Sequence, residues 1–236
     1  VLGVRLINGI GQHLKFGGEV MKNVAGYDLS RLSVGAYGTL GILTEISVKV
    51  LPMPELEQTQ RLECSQAEAL ERLVRIGRRP YPISAAAWIQ GALSVRLSGA
   101  ASGVASAAAA IGGASLPYSE PFWAGLRDLS ATEFHEEGRW LWRLSVAPTT
   151  PVNAVDAFCF DWAGGQRWVM TDPDDDSPFD IASKCGGHAI CFAQNRSEGT
   201  GMQPLAPGIL SLSQRIKDAM DPHGLINRGR LLGGTH

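Results

Sequence analysis

Two short stretches decide the reading of this chain: Lys22-Asn23-Val24-Ala25-Gly26-Tyr27-Asp28-Leu29 and, soon after it, Gly38-Thr39-Leu40-Gly41-Ile42-Leu43-Thr44-Glu45. In the second, two glycines bracket a Thr-Leu pair and lead straight into an apolar run. Backbone can therefore come close to a flat ligand where a Cβ would clash, and a strand can begin at once. Backbone N–H groups at Gly41 and Ile42 are suited to acceptors along one edge of such a ring. On spacing alone a turn before an edge strand is the better reading of the same glycines.

Working outward, Val4 to Ile7 and His13 to Phe16 flank Asn8-Gly9-Ile10-Gly11, and the Asn-Gly pair favours the positive φ angles of a tight hairpin turn. Lys22 to Leu32 reads as a loop and a short helix. Ile42 to Leu51 sets Ile46, Val48 and Val50 against Glu45, Ser47 and Lys49, the period of a half-buried strand. Pro52 and Pro54 stop it and mark a domain boundary, giving units 1–52 and 53–236.

Past the prolines, strand and helix alternate. Thr59 to Cys64 is a strand, Ser65 and Glu68 form a capping box for a helix to about Arg78, and Ala85 to Gln90 with Ala92 to Leu97 make a hairpin around Gly91. An Ala-rich helix, Ser102 to Ile111, stops at Gly112-Gly113. Trp123 to Asp128 is a short helix. Arg139 to Val146, Gln166 to Thr171 and Ala189 to Ala193 are strands, and Ile209 to Met220 is a closing helix with Leu210, Ile216, Ala219 and Met220 near one face. This order predicts an α+β chain whose second part is an antiparallel sheet with helices on one face.

With 236 residues, 44% hydrophobic and 19% charged, and a net charge of -2, the chain has no nucleic-acid footprint and no apolar run long enough for a transmembrane segment. Four cysteines, Cys64, Cys159, Cys185 and Cys191, are too sparse for a disulfide scaffold and fit a reducing cytoplasm.

The two opening stretches match, in order and separation, a Lys-Asn-x-x-Gly-Tyr-Asp-Leu segment and a Gly-Thr-Leu-Gly-Ile loop. A third piece, Met220-Asp221-Pro222-His223-Gly224-Leu225-Ile226-Asn227-Arg228-Gly229-Arg230, follows at the far end, with Arg228 where proline is usual. Together they resemble flavoproteins of the vanillyl-alcohol oxidase / p-cresol methylhydroxylase (PCMH) superfamily, in its glycolate oxidase and D-lactate dehydrogenase branch. The resemblance implies the C-terminal half of a PCMH-type FAD-binding domain followed by a ferredoxin-like α/β domain that closes over the flavin. FAD would be held noncovalently by Lys22, Asn23, Gly38, Gly41, Ile42 and Asn227, with Asn227 coming back toward the flavin; no metal site is implied.

Within the branch, catalytic subunits carry Ser-Glu-Gly-Thr-Leu-Gly and a His-x-Gly-Asp-Gly-Asn-x-His element. This chain has Tyr37 in place of the Glu and only Gly186-Gly187-His188-Ala189 near the second. In that respect it is similar to the FAD-binding E subunits of bacterial glycolate oxidases. The implied partners are a catalytic flavin subunit, an iron-sulfur subunit and a small 2-hydroxy acid substrate. The implied setting is cytoplasmic, or membrane-associated through those partners. An independent FAD-linked D-2-hydroxy acid dehydrogenase and a flavin-free structural subunit remain alternatives. The chain opens on a strand-like run at Val1 without the family's pyrophosphate loop, so about a hundred further residues are expected upstream and FAD is expected to be absent from this piece. No catalytic residue is assigned.

Lesser candidates are weighed against structural roles. Cys185, His188 and Cys191 have a ligand-like spacing but read as a buried strand. Asp174-Asp175-Asp176 reads as a solvated loop and Trp123, Trp140, Trp142, Trp162 and Trp168 mostly as core. Lys22 and Arg230 could face phosphates or a carboxylate, or be ordinary surface charge.

Overall fold

The structure is a computed structural model that describes residues 1–18, 29–192 and 200–232. The chain divides into two units, one of Val1–Pro52 with Glu198–His236 and one of Met53–Ser197. Residues 198–236 are thus grouped with the first unit, whereas the single boundary at the prolines had left them with the second.

The first unit begins with β1 (Gly3–Ile7) and β2 (His13–Gly17), an antiparallel hairpin, followed by α1 (Leu29–Leu32) and β3 (Ile42–Ser47), which pairs with the other side of β1. The order β2-β1-β3 leaves β1 central. Its Val4 and Leu6 are buried. The hairpin turn works differently from the Asn-Gly expectation. Asn8, 6% exposed, accepts N–H groups from Ile10 and Gln12 through its side-chain oxygen, and the positive φ falls on Gly11. The strand expected over Ile42 to Leu51 ends at Ser47, and no residue of β3 is buried. Its alternation is real, but Ile46 and the following Val48 and Val50 are all more than half exposed.

The second unit is built on one antiparallel sheet in the order β11-β8-β10-β9-β5-β6-β4-β7. Its elements in chain order are β4 (Leu56–Glu63), α2 (Gln66–Gly77), β5 (Ile83–Ile89), β6 (Ala92–Gly99), α3 (Ala101–Ile111), β7 (Ala114–Ser115), α4 (Glu120–Asp128), β8 (Trp140–Ser145), β9 (Cys159–Asp161), β10 (Gln166–Thr171), α5 (Ser177–Lys184) and β11 (His188–Cys191). The capping box at Ser65 and Glu68 is formed in full. On one face, Ala69, Leu73 and Ile76 of α2 and Val104, Ala107 and Ala108 of α3 bury against Leu93, Val95 and Leu97. The small residues of α3 let its axis lie close to the sheet. On the same face α5 packs Ala182 and Phe179 against Trp142, Leu144 and Ala189. The opposite face is partly covered by Leu126 of α4 and Phe134, over Ala87, Ile89, Cys159 and Trp168. Strand β9 and helix α5 were not anticipated; three residues are too few for a periodic signal, and α5 follows the acidic loop that masks its start.

A last helix, α6 (Pro207–Met220), belongs to the first unit. Its apolar residues include Ile209, Leu210 and Leu212, each more than 40% exposed, and no residue of the helix is buried. The α+β class and the antiparallel sheet of the second unit are as the sequence predicted.

Candidate functional site

At the end of α6 the chain turns back on the loop before β3. Asp221 is 2% exposed. Its carboxylate accepts Lys217 Nζ at 2.5 Å and the N–H groups of Ile226 at 2.8 Å and Leu225 at 3.0 Å. Burial by itself raises the Asp221 pKa, but the bonds from Lys217, Ile226 and Leu225 outweigh it and hold the carboxyl below its usual range. The Lys217 ammonium spends its other donors on the carbonyls of Thr39 and Ile226, both at 2.8 Å. One ion pair therefore ties the C-terminal turn to the Gly38–Ile42 loop. Gly9 completes the corner: its N–H donates to Met220 O at 2.9 Å, and a Cβ there would collide with Asp221.

Within the loop, Thr39 is buried and bonds Ala36 O through both its N–H and its hydroxyl. Asn227 Nδ2 donates to Tyr37 O at 2.8 Å. The carbonyls of Ala36, Tyr37 and Thr39 are thus all taken by the chain's own donors. Among the described residues, the N–H groups of Gly38, Leu40 and Gly41 donate no hydrogen bond outside the strand ladder. What the loop has left to offer a ligand is donors, the complement of an acceptor-rich ring edge. A cleft of about 440 Å³ lies beside it, lined by Thr39, Lys217, Asp221, His223, Asn227 and Arg228 among others.

The structure supplies its own reasons for the two glycines. Gly38 has φ +70°, and a Cβ on it would stand 2.8 Å from Asn227 Nδ2. A Cβ on Gly41 would stand 2.8 Å from Ile7 O and 2.8 Å from Leu6 Cδ1, so here the close neighbour is strand β1. Ile42, 60% exposed, opens β3 opposite Ile7. Tyr37, which replaces the expected Glu, is 43% exposed with φ +51°. Lys22 and Asn23 lie outside the described residues. Of the remaining sequence-derived site residues, Gly38 and Asn227 are brought side by side, while Gly41 and Ile42 continue the same loop into the strand. Arg228 donates through Nε to Gly224 O, bracing the turn from within, and Arg230 is exposed.

Lys217 was not singled out beforehand, and Thr39 and Asp221 stood in the quoted motifs without a role of their own. The i,i+4 spacing of Lys217 and Asp221 at a helix end was the available signal, but surface pairs have the same spacing and only burial separates the two cases.

The other candidates have structural roles. Trp140 and Trp142 are buried on the helix-covered face and Trp168 on the other, while Trp162 is 73% exposed. Asp175 caps the first turn of α5 by accepting Ser177 N–H at 2.9 Å. Cys191 is buried in β11 and His188 exposed at its start; no group of three or more His, Cys, Asp or Glu able to hold a metal occurs among the described residues. No helix among the described residues is long and apolar enough to cross a membrane.

The fold is similar to that of alkyldihydroxyacetonephosphate synthase, which superposes with a TM-score of 0.57 at 14% identity, over 94% of this chain and 52% of that one. No family model matches the sequence. The sequence itself is 41% identical over 232 residues to glycolate oxidase subunit GlcE of Escherichia coli strain K12, covering 98% of this chain and 65% of that protein. Glycolate oxidase subunit GlcD of Bacillus subtilis is 49% identical over 59 residues, 25% of this chain and 13% of that protein. D-lactate dehydrogenase of Anaerostipes hadrus is 47% identical over 45 residues, 19% of this chain and 10% of that protein. The likeness to the glycolate oxidase E subunit, first read from three short motifs, therefore extends over nearly the whole chain. The chain in turn spans less than two thirds of that relative's length.

Proposed function

We propose that the chain is part of the FAD-binding subunit of a glycolate oxidase complex, supporting the oxidation of glycolate to glyoxylate together with a catalytic flavin subunit and an iron-sulfur subunit. The observation that carries this reading is the junction of the Gly38–Ile42 loop with Asn227, at the two ends of a chain that matches a glycolate oxidase subunit along nearly its full length.

In this reading the loop N–H groups face the acceptor edge of the flavin ring, and the exposed Ile42 side chain gives it an apolar contact. Asn227 fixes the loop through Tyr37 O, and the Lys217–Asp221 pair fixes the turn that carries Asn227. FAD, when bound, supplies the two-electron acceptor that a 2-hydroxy acid needs. Lys22 and Asn23 are assigned to the same site on the family motif alone. As domains, residues 1–52 together with the C-terminal segment from 198 would form the second half of the FAD-binding domain, that segment returning to the flavin site, and residues 53–197 the smaller α/β domain.

Because Gly41 is required by β1, replacing it tests folding more than binding. Ile42→Glu is the better probe: the side chain is exposed, so the fold is kept while a carboxylate is placed against the ring. In the full-length protein this variant is expected to lose bound flavin at an unchanged melting temperature. Normal flavin content would remove the loop from the cofactor site.

A further inference from the structure

The second half of α2 and the turn after it carry Arg72, Arg75, Arg78 and Arg79, four arginines in eight residues of a chain whose net charge is -2. Such a run is most often a solvated helix face neutralised by its own glutamates, and the sequence supplies them. Glu68 and Glu71 stand four residues before Arg72 and Arg75, the favourable order for ion pairs on a helix. Neither pair forms. The Glu68 carboxylate is turned back onto the Ser65 N–H and hydroxyl, both at 2.8 Å, by the capping box. Among the described residues Glu71 makes no ion pair, and none of the four arginines makes an ion pair or a side-chain hydrogen bond. The negative end of the α2 dipole favours cations at Arg75 and Arg78, but it gives no reason for Arg72, more than a turn further back.

Three of the four converge. Arg72, Arg75 and Arg79 follow the i, i+3, i+7 spacing of one helix stripe and line a cavity of about 320 Å³ between α2 and the last residues of α3, Ala110 and Ile111. Arg78 does not line it. The other walls are apolar side chains, Ile76 and Ile111 among them, and the half-buried Tyr81; no Asp or Glu is present. The backbone that carries Arg79 and Tyr81 is fixed in advance. Arg79 N–H donates to Ile76 O at 3.0 Å, Ile83 N–H to Tyr81 O at 2.8 Å and Ser98 N–H to Pro82 O at 2.9 Å, and Pro80 and Pro82 lock φ on either side of Tyr81.

Guanidinium groups carry donors and no acceptor, so the charged side chains of this cavity offer a ligand only N–H groups and positive charge. Like charges at this spacing destabilise a helix, a cost that an anion bound among them removes. A monocarboxylate would answer one arginine and leave two. A phosphate group brings about two negative charges and three acceptor oxygens, and it pairs with guanidinium through two parallel bonds. A volume of about 320 Å³ lies at the lower end for ligand pockets, room for a short phosphate chain rather than a peptide.

We propose that the cavity between α2 and α3 binds a small di- or triphosphate anion, held by Arg72, Arg75 and Arg79 with Tyr81 as one wall. A free phosphate chain and a phospholipid headgroup share this chemistry, and the test separates them. The inference concerns the second unit alone and does not rest on the function proposed above.

The test is isothermal titration calorimetry of the full-length protein loaded with FAD, so that the site for the cofactor's own diphosphate is filled. Orthophosphate, pyrophosphate and tripolyphosphate are compared at constant ionic strength. Tripolyphosphate should bind one to one and at least about tenfold more tightly than orthophosphate, the difference one charge-assisted hydrogen bond makes. Arg75→Gln and Arg79→Gln, both at exposed positions, should each weaken binding about tenfold or more. Arg78→Gln removes the same charge outside the cavity and should change the affinity by less than about twofold, because salt screens it. Ala110→Glu, exposed on the opposite wall, should abolish binding with every arginine in place. Equal losses in Arg75→Gln and Arg78→Gln, orthophosphate bound as tightly as tripolyphosphate, or no saturable binding would each overturn the assignment. Adsorption to phosphatidylglycerol vesicles without any binding of tripolyphosphate would also overturn it, giving the arginines to a membrane surface. The comparison of Arg75→Gln with Arg78→Gln reads the same in protein that retains no flavin, so its failure is distinct from failure of the Ile42→Glu test.

Discussion

Replacing Asp221 by Ala should unfasten the corner that joins the C-terminal turn to the Gly38–Ile42 loop. The change leaves the Lys217 side chain, 14% exposed, without its counter-charge, and leaves the N–H groups of Leu225 and Ile226 without an acceptor. Breaking a buried pair by removing one partner costs about 3–5 kcal/mol, and the two orphaned donors lie within that figure because they act on the same corner. Asp221→Ala should therefore lower the unfolding free energy of the first unit by about 4 kcal/mol at pH 7. Urea denaturation measures the loss, and hydrogen exchange at Leu225 and Ile226 localises it.

Two controls separate this from a generic surface effect. Lys217→Met/Asp221→Leu should recover much of the loss, because well-packed apolar residues often replace a buried ion pair without penalty. The pH dependence should change as well. Since the folded-state pKa of Asp221 is depressed, its contribution is present above the unfolded value and is lost as pH falls through the folded one, so acid should weaken the native protein more than the variant. A loss below about 1 kcal/mol, the range of an exposed pair, or a double variant as unstable as the single one would refute the reasoning.

Two further outcomes are expected. Asp161 has its pKa raised to about 6. Ionising it therefore costs the folded state: the penalty is absent below the unfolded value, grows as pH rises toward 6 and reaches about 3 kcal/mol above it, so Asp161→Asn should remove that slope from a stability-versus-pH curve. Identical curves for the two proteins would show the carboxyl to be better solvated than its burial implies. In reconstitution with FAD and an artificial electron acceptor, the full-length subunit should turn over glycolate and D-lactate far more slowly alone than with its catalytic partner; comparable rates would favour an independent dehydrogenase.

Local chemistry made much of the fold legible in advance. The Ser65 and Glu68 capping box, the Gly91 hairpin, the small-residue helix ending at Gly112 and the strand around Trp140 and Trp142 each depend on residues within one or two turns of each other. The misreadings arose where a local pattern lacked its expected tertiary counterpart. Val48 and Val50 alternate like a buried strand yet are more than half exposed, and Asn8-Gly9 looks like a two-residue turn but serves as a side-chain acceptor and a close approach to Asp221.

By itself, the sequence determined the α+β class, most element positions and the two ends of the candidate flavin site, because capping, periodicity and glycine-rich loops are written in neighbouring residues. Only the tertiary structure decided that Lys217 and Asp221 form a buried knot on Thr39, that Gly41 is required by Ile7, and that Arg143 and Asp161 open onto one cavity. Those relations join residues many positions apart. Whether a lysine, an aspartate or an arginine is ordinary surface charge or an organising group depends on burial and on strand register, and neither exists until the chain has closed on itself.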